Sequence, residues 1–175
     1  EVDANHPQGV LVDQFGRQHV DLRVSVTDRC NLRCTYCMPL DASFMNQQKL
    51  LSFDEVTRCV RVASEMGVRT IRLTGGEPLM RPNLRRLVEQ LMQVSRIEEV
   101  ALTTNGLLLA DQAAGLAQAG LSRLNVSLDS LDESRFKKIA RRSGLQRILE
   151  GLEEAGRQGF RSIRINAVSI RGLTE

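Results

Sequence analysis

The 175-residue chain has no tryptophan, a single tyrosine (Tyr36) and five phenylalanines. Proteins that grip single-stranded nucleic acid stack bases on aromatic platforms, and duplex binders carry a basic stripe. With 3% aromatics and a net charge of +3, its Lys and Arg spread among Asp and Glu, the chain has neither, which argues against nucleic acid as a partner. No apolar run approaches the roughly 20 residues that a membrane helix requires, so no membrane partner is expected. The polar start, Glu1 to Gly9, lacks the basic and apolar pattern of a signal peptide, and a cytoplasmic protein is expected. Cysteine is scarce and unevenly placed: Cys30, Cys34 and Cys37 fall within eight residues, and Cys59 stands apart. A secreted disulfide framework spreads its pairs along the chain, so a reducing compartment and a metal site fit better.

What is present is a rhythm of short apolar strand, turn and amphipathic helix. Strands are predicted at Leu22–Asp28, Val68–Thr74, Val100–Thr104, Arg123–Leu128 and Ser162–Val168, each rich in β-branched or Leu residues. Ser52 and Glu55 predict a capping box for a helix whose apolar stripe is Val56, Cys59, Val60 and Ala63, with Gly67 ending it and Cys59 packed in the core. Further helices are predicted after Pro82, over 111–119, behind a second capping box at Ser130 and Glu133, and along Leu145, Ile148, Leu149 and Leu152. Strict alternation argues for an α/β fold with a parallel sheet. About five βα units fit part of a TIM-like (β/α) barrel, since eight units take about 250 residues; a Rossmann or flavodoxin sheet has the same periodicity. Either way, the chemistry belongs at the carboxyl ends of the strands. Cys30, Gly75-Gly76-Glu77-Pro78, Asn105-Gly106, Ser127 with Asp129, and Asn166 all fall there.

Cys30-Asn-Leu-Arg-Cys34-Thr-Tyr-Cys37 is a C-x₃-C-x₂-C loop. Three thiolates on a short irregular segment can ligate three irons of a [4Fe–4S] cube and leave the fourth open, as a catalytic zinc keeps a vacant position. The competing readings are a zinc knot drawing its fourth ligand from Cys59, His6 or His19, and a redox disulfide between Cys34 and Cys37, which leaves Cys30 unexplained.

With an aromatic residue before the last cysteine, this loop resembles the signature of radical S-adenosylmethionine (SAM) enzymes, and Gly75-Gly-Glu-Pro78 resembles their second motif. The stretches Asp21–Pro39, Ile71–Pro82, Leu102–Leu107 and Leu124–Asp129 are similar, more narrowly, to the GTP 3′,8-cyclases of molybdenum cofactor biosynthesis (the MoaA family). The resemblance implies a radical SAM core over 21–175 behind an N-terminal extension, 1–20. It makes Cys30, Cys34 and Cys37 the catalytic cluster ligands and places Tyr36, Gly76 and Ser127 against SAM. It places Arg23, Arg72, Thr103 and Arg164 against GTP, with Arg164 where the family usually has a lysine. Arg23 and Arg72 alternate with apolar neighbours and can point into a barrel; each expects either an anionic ligand or a salt bridge to a carboxylate such as Glu77 or Asp129.

The implied reaction is removal of hydrogen from C3′ of the GTP ribose by a deoxyadenosyl radical, followed by attack on C8 of guanine, giving 3′,8-cyclo-7,8-dihydro-GTP. The implied partners are a cluster reductant and the cyclic pyranopterin monophosphate synthase that takes the product. Family members also carry a C-terminal domain whose three further cysteines bind a second [4Fe–4S] cluster. That domain is absent here, so a fragment inactive by itself is expected, with an open β5 edge prone to homodimer formation. The other reading on this signature is a radical SAM enzyme acting on a peptide or a tetrapyrrole.

Overall fold

The computed structural model describes residues 9–174, so His6 and the first eight residues of the expected N-terminal extension lie outside the described residues. The strands are β1 (Asp21–Ser25), β2 (Thr70–Thr74), β3 (Glu99–Thr104), β4 (Arg123–Ser127) and β5 (Ser162–Asn166). The helices are α1 (Phe53–Glu65), α2 (Leu84–Met92), α3 (Leu109–Gln118), α4 (Glu133–Ala140) and α5 (Leu145–Arg157). All four strand pairs are parallel, in the order β1-β2-β3-β4-β5. Rossmann and flavodoxin sheets reverse their strand order at a switch point. Here every strand pairs with the next one in sequence, as the staves of a barrel do, and the Rossmann and flavodoxin alternatives fall.

The two faces of this sheet differ sharply. Successive side chains alternate between faces. On one face lie Leu22, Val24, Ile71, Leu73, Val100, Leu102, Leu124 and Val126, packed with Val60, Leu87, Leu91, Leu109 and Ile148 of the helices in a single core. The other face carries Asp21, Arg23, Ser25, Thr70, Arg72, Thr74, Glu99, Thr103, Arg123, Asn125, Ser127, Arg164 and Asn166, with Ala101 as an apolar residue among them. Parallel sheets usually read as continuous apolar runs because both faces are covered. This one pairs an oily back with a hydrophilic front.

Several boundaries depart from the predicted ones for local reasons. β2 starts at Thr70 because Val68 N donates to Ala63 O and Arg69 N donates to Val20 O, tying these residues to the end of α1 and to β1. β5 stops at Asn166 because Val168 N leaves the ladder and donates to Asp129 Oδ1 at 2.9 Å. The capping box at Ser52 and Glu55 is present, and Gly67, at φ +99°, follows the end of α1. The predicted box at Ser130 and Glu133 is not: Asp132 caps α4 by accepting from Arg135 N at 2.8 Å, and Ser130 Oγ accepts from Asp132 N instead. Residues 9–20 make an antiparallel bridge, Val12 to Gln18, and Leu11 N donates to Met66 O.

Cys59 is exposed, which corrects the expectation that it packs in the core. The buried face of α1 is Val56, Thr57, Val60 and Ser64. At about 100° per residue, that stripe runs toward the Thr57 side and leaves Cys59 on the opposite flank, beside exposed Val62. Replacing Leu102, fully buried, with Ala should cost about 2–5 kcal/mol of unfolding free energy by urea titration. Cys59→Ser should stay within about 0.5 kcal/mol of the parent; equal losses at the two positions would contradict the placement of Cys59.

Candidate active site at the carboxyl rim

The cysteine loop leaves β1 and is held along its length by its neighbours. Gly76 N donates to Thr27 O at 2.8 Å and Glu77 N donates to Arg29 O at 2.7 Å, so the turn after β2 pairs backbone to backbone with the approach to Cys30. A Cβ at Gly75 would collide with Thr27 O, and one at Gly76 would meet Arg29 O and, at 2.6 Å, Asp28 O. Gly75 also sits at φ +146°, which L side chains rarely adopt. These glycines are therefore required by loop-on-loop packing, whatever else they touch. Further on, Arg33 N donates to Ala140 O and Thr35 N donates to Ile139 O, satisfying carbonyls at the end of α4 that have no partner within the helix.

Beneath this pairing lies Glu77, fully buried. Its Oε1 accepts from Leu79 N at 2.9 Å and from Thr104 Oγ1 at 2.7 Å, and its Oε2 accepts from Asn105 N at 2.7 Å. Burial pushes the Glu77 carboxyl upward, against these three donors, which favour its charged form. Asn105 extends the network: its Nδ2 lies 2.7 Å from Asn31 Oδ1 and 3.8 Å from Cys30 Sγ. On the other side of the loop, Tyr36 OH donates to Asp129 Oδ2 at 2.6 Å; desolvation and this carboxylate raise the phenol well above its ordinary range.

Cys30 and Cys34 are half-buried, Cys37 is exposed, and none is in a disulfide, which removes the Cys34–Cys37 redox pair as a feature of this structure. Desolvation raises both half-buried thiols, Cys34 to about 11, with the Asp129 charge as a second cause. Among the described residues no group of three His, Cys, Asp or Glu side chains already converges as a metal site. As a donor set the three thiols fit a [4Fe–4S] cluster: they are reduced, lie on one irregular loop and differ in exposure, and side-chain rotation is what would bring the sulfurs together. Cys59 lies on the outer flank of α1, away from this loop, and His19 Nε2 is 3.9 Å from Asp13 Oδ2 in the N-terminal segment; neither stands with the cysteine loop as a zinc ligand.

The remaining predicted residues are placed as follows. Arg23 and Arg72 are register partners, Thr103 pairs with Asn125, and Asn125 pairs with Arg164, so all lie on the hydrophilic face of the sheet. With its amide oxygen turned to the guanidinium, Asn125 accepts from Arg72 Nη1 at 2.9 Å. Ser127 ends β4 on the same face. Among the described residues, none of Arg23, Arg72 and Arg164 pairs with a carboxylate, while Arg123, in the same register row as Arg23 and Arg72, meets Glu99 at 3.2 Å. The expected salt bridges to Glu77 or Asp129 are absent because Glu77 is turned under the loops and Asp129 holds Tyr36 and Val168. Sequence reasoning missed these two carboxylates as organisers of the rim; their position at strand ends was the available signal.

A parallel βα arc bearing a C-x₃-C-x₂-C loop and a Gly-Gly-Glu-Pro turn on one rim defines a partial-barrel enzyme class built around a thiolate-held cluster. The chain belongs to the radical SAM superfamily, whose family profile matches residues 24–175. Membership carries two cofactors, a [4Fe–4S] cluster and SAM. The chain is 52% identical over 167 residues to a GTP 3′,8-cyclase of Rhodopirellula baltica, covering 94% of this chain and 46% of that one. It is 44% identical to a GTP 3′,8-cyclase of Listeria monocytogenes (95% and 50% covered) and 45% identical to molybdenum cofactor biosynthesis protein 1 of Drosophila melanogaster (94% and 29%). The chain thus spans about half the length, or less, of the curated relatives it matches. Among solved structures, SuiB of Streptococcus suis bound to its precursor peptide aligns with a TM-score of 0.73 at 22% identity, covering 87% of this chain and 33% of that one. Methylornithine synthase (PylB) aligns at 0.70 and 15%, covering 87% and 45%. These identities show the shared fold alone.

Gly76→Ala should cost about 1–3 kcal/mol by forcing the two loops apart. Gly156→Ala, in the last turn of α5 with no side chain or other element within 4 Å of the added Cβ, should instead stabilise by about 0.5–1 kcal/mol. The melting temperatures of the two variants should move in opposite directions, and a neutral Gly76→Ala would refute the packing requirement.

Proposed function

We propose that this chain is the radical SAM part of a GTP 3′,8-cyclase, dividing into an N-terminal extension before residue 21 and a core from there onward. The observation that carries the reading is the hydrophilic face, where Arg23, Arg72 and Arg164 stand without carboxylate partners among the described residues. Three uncompensated guanidinium groups on one face repel one another and attract a polyanion, and planar Arg suits phosphate oxygens. The most similar of the named relatives are GTP 3′,8-cyclases, and a nucleoside triphosphate meets that electrostatic demand.

In this reading Arg23, Arg72 and Arg164 neutralise and orient the triphosphate, and Thr103 supplies a hydroxyl that donates or accepts toward the nucleotide. Asn125 fixes the direction of the Arg72 guanidinium. Tyr36, aimed by Asp129, offers a ring face to the SAM adenine. Gly76 presents backbone to its methionine portion and Ser127 a hydroxyl to the same ligand. Cys30, Cys34 and Cys37 hold the cluster, and, when bound, the cluster and SAM supply the radical that takes hydrogen from the ribose C3′. The chain's own residues hold the nucleotide sugar near that chemistry and keep water out. A reductant for the cluster, the pyranopterin monophosphate synthase downstream and pairing of two copies through the β5 edge belong to the same proposal.

Arg72→Ala tests it. A lost charged hydrogen bond is worth about 1.5–3 kcal/mol, so GTP should bind roughly 10- to 100-fold more weakly by equilibrium dialysis, with SAM binding unchanged. Equal GTP affinity in parent and variant would count against the assignment. Independently, protein reconstituted anaerobically with iron and sulfide should release 5′-deoxyadenosine from SAM after dithionite is added.

A further inference from the structure

Asn105 lies at the end of β3 and is 9% exposed. Its side-chain oxygen is committed: Oδ1 accepts from Leu107 N at 3.0 Å, closing an Asx turn. That bond fixes which end of the amide is oxygen, so the nitrogen must face the cysteine loop. One of its two N–H groups points to Asn31 Oδ1 at 2.7 Å, and Cys30 Sγ, 3.8 Å away, is the acceptor within reach of the other. The backbone of Asn105 is pinned in turn by Glu77 Oε2. Cys30 Sγ also receives Leu32 N at 3.4 Å. The amide therefore has one orientation, and it delivers a donor to a sulfur.

We propose that Asn105 is a positioning residue for Cys30, and that its side-chain N–H tunes the electron affinity of the iron–sulfur cluster that Cys30 ligates. A donor to a ligating sulfur withdraws charge from the cluster and favours its reduced, more electron-rich form, so its presence raises the reduction potential. A turn cap alone would have no such effect. The role is separate from substrate choice and does not depend on GTP.

Two variants separate the donor from the turn. Asn105→Asp keeps an oxygen for Leu107 N and has no N–H; Asn105→Ser keeps a short acceptor, adds no charge and cannot reach Cys30. Each is reconstituted anaerobically with iron and sulfide, and the cluster is titrated by electron paramagnetic resonance against poised dithionite. Both midpoints should fall below the parent's, that of the Asp variant further because of its added charge. A tenfold shift in the oxidised-to-reduced ratio at fixed potential, about 59 mV for a one-electron couple, is the expected scale. A folded variant that takes up less iron than the parent also supports positioning of Cys30. Full clusters at the parent potential in both variants would overturn the proposal, as would loss of the folded state in both, which would make the amide a turn element alone. If the parent chain takes up no iron, the cluster reading itself fails, an outcome distinct from an unmoved potential.

Discussion

A carboxylate with no exposed surface and, among the described residues, no cationic partner is among the costlier groups a fold can contain, and Glu77 is tolerable because three donors converge on it. Those donors come from two places: Leu79 in the turn after β2, and Thr104 with Asn105 at the end of β3. The carboxylate thereby ties two strand ends together at the depth where the rim begins. Its own backbone N–H reaches the other way, to Arg29 O, one residue before Cys30. The cysteine loop, the glycine turn and the β3 exit thus share one buried anchor. Gly75 and Gly76 are compelled by this closeness, since no side chain fits between the turn and the 27–29 backbone.

The division of the sheet into an apolar back and a polar front follows from the same economy of placement. Helices cover the back, so Ile71, Leu73, Val100, Leu102, Leu124 and Val126 supply the hydrophobic stability, each worth about 1.5–3 kcal/mol when fully buried. The front contributes little burial and is released for chemistry. Part of it is neutralised internally, Arg123 meeting Glu99. In the same register row, Arg23 and Arg72 have no carboxylate partner among the described residues, so positive charge is left uncompensated beside that pair. A barrel interior is usually filled with branched apolar side chains; this face is built to contact something polar.

Much of this was readable in the residues. Alternation of strand and helix gave the parallel sheet, and the spacing of Cys30, Cys34 and Cys37 at a strand end pointed to the candidate site. Strand order was not readable, because periodicity is the same for a barrel arc and a Rossmann sheet; only pairing decides it. Cys59 was misplaced because a helical stripe inferred from four residues tolerates a shift of half a turn's width, and Ala63 and Cys59 are small enough to sit on either flank. Ser130 lost the α4 cap to Asp132, which stands next to the helix start and offers a charged acceptor. The partners of Glu77 and Asp129 were illegible for another reason: Glu77 meets Asn105 and Asp129 meets Tyr36 across long stretches of sequence, and no local pattern encodes such contacts.

The cysteine loop is graded in its constraint, and that gradient bears on how its sulfurs come to act together. At its start, Cys30 is half-buried, its sulfur receives Leu32 N and faces Asn105 Nδ2, and its carbonyl accepts from Arg33 Nη1 at 2.7 Å. In its middle, Arg33 and Thr35 are stitched to the last carbonyls of α4. At its end, Cys37 is exposed, and its backbone N–H bonds only locally, to Cys34 O. Convergence of the three sulfurs therefore requires little of Cys30 and most of Cys37, whose side chain can rotate in solvent without breaking a buried contact. Burial meanwhile raises both the Cys30 and the Cys34 thiols, so binding of a cation by their sulfurs displaces protons. A loop held at its start and middle and free at its end leaves Cys37 as the adaptable thiol of the three, and the most constrained sulfur, that of Cys30, is the one that faces Asn105.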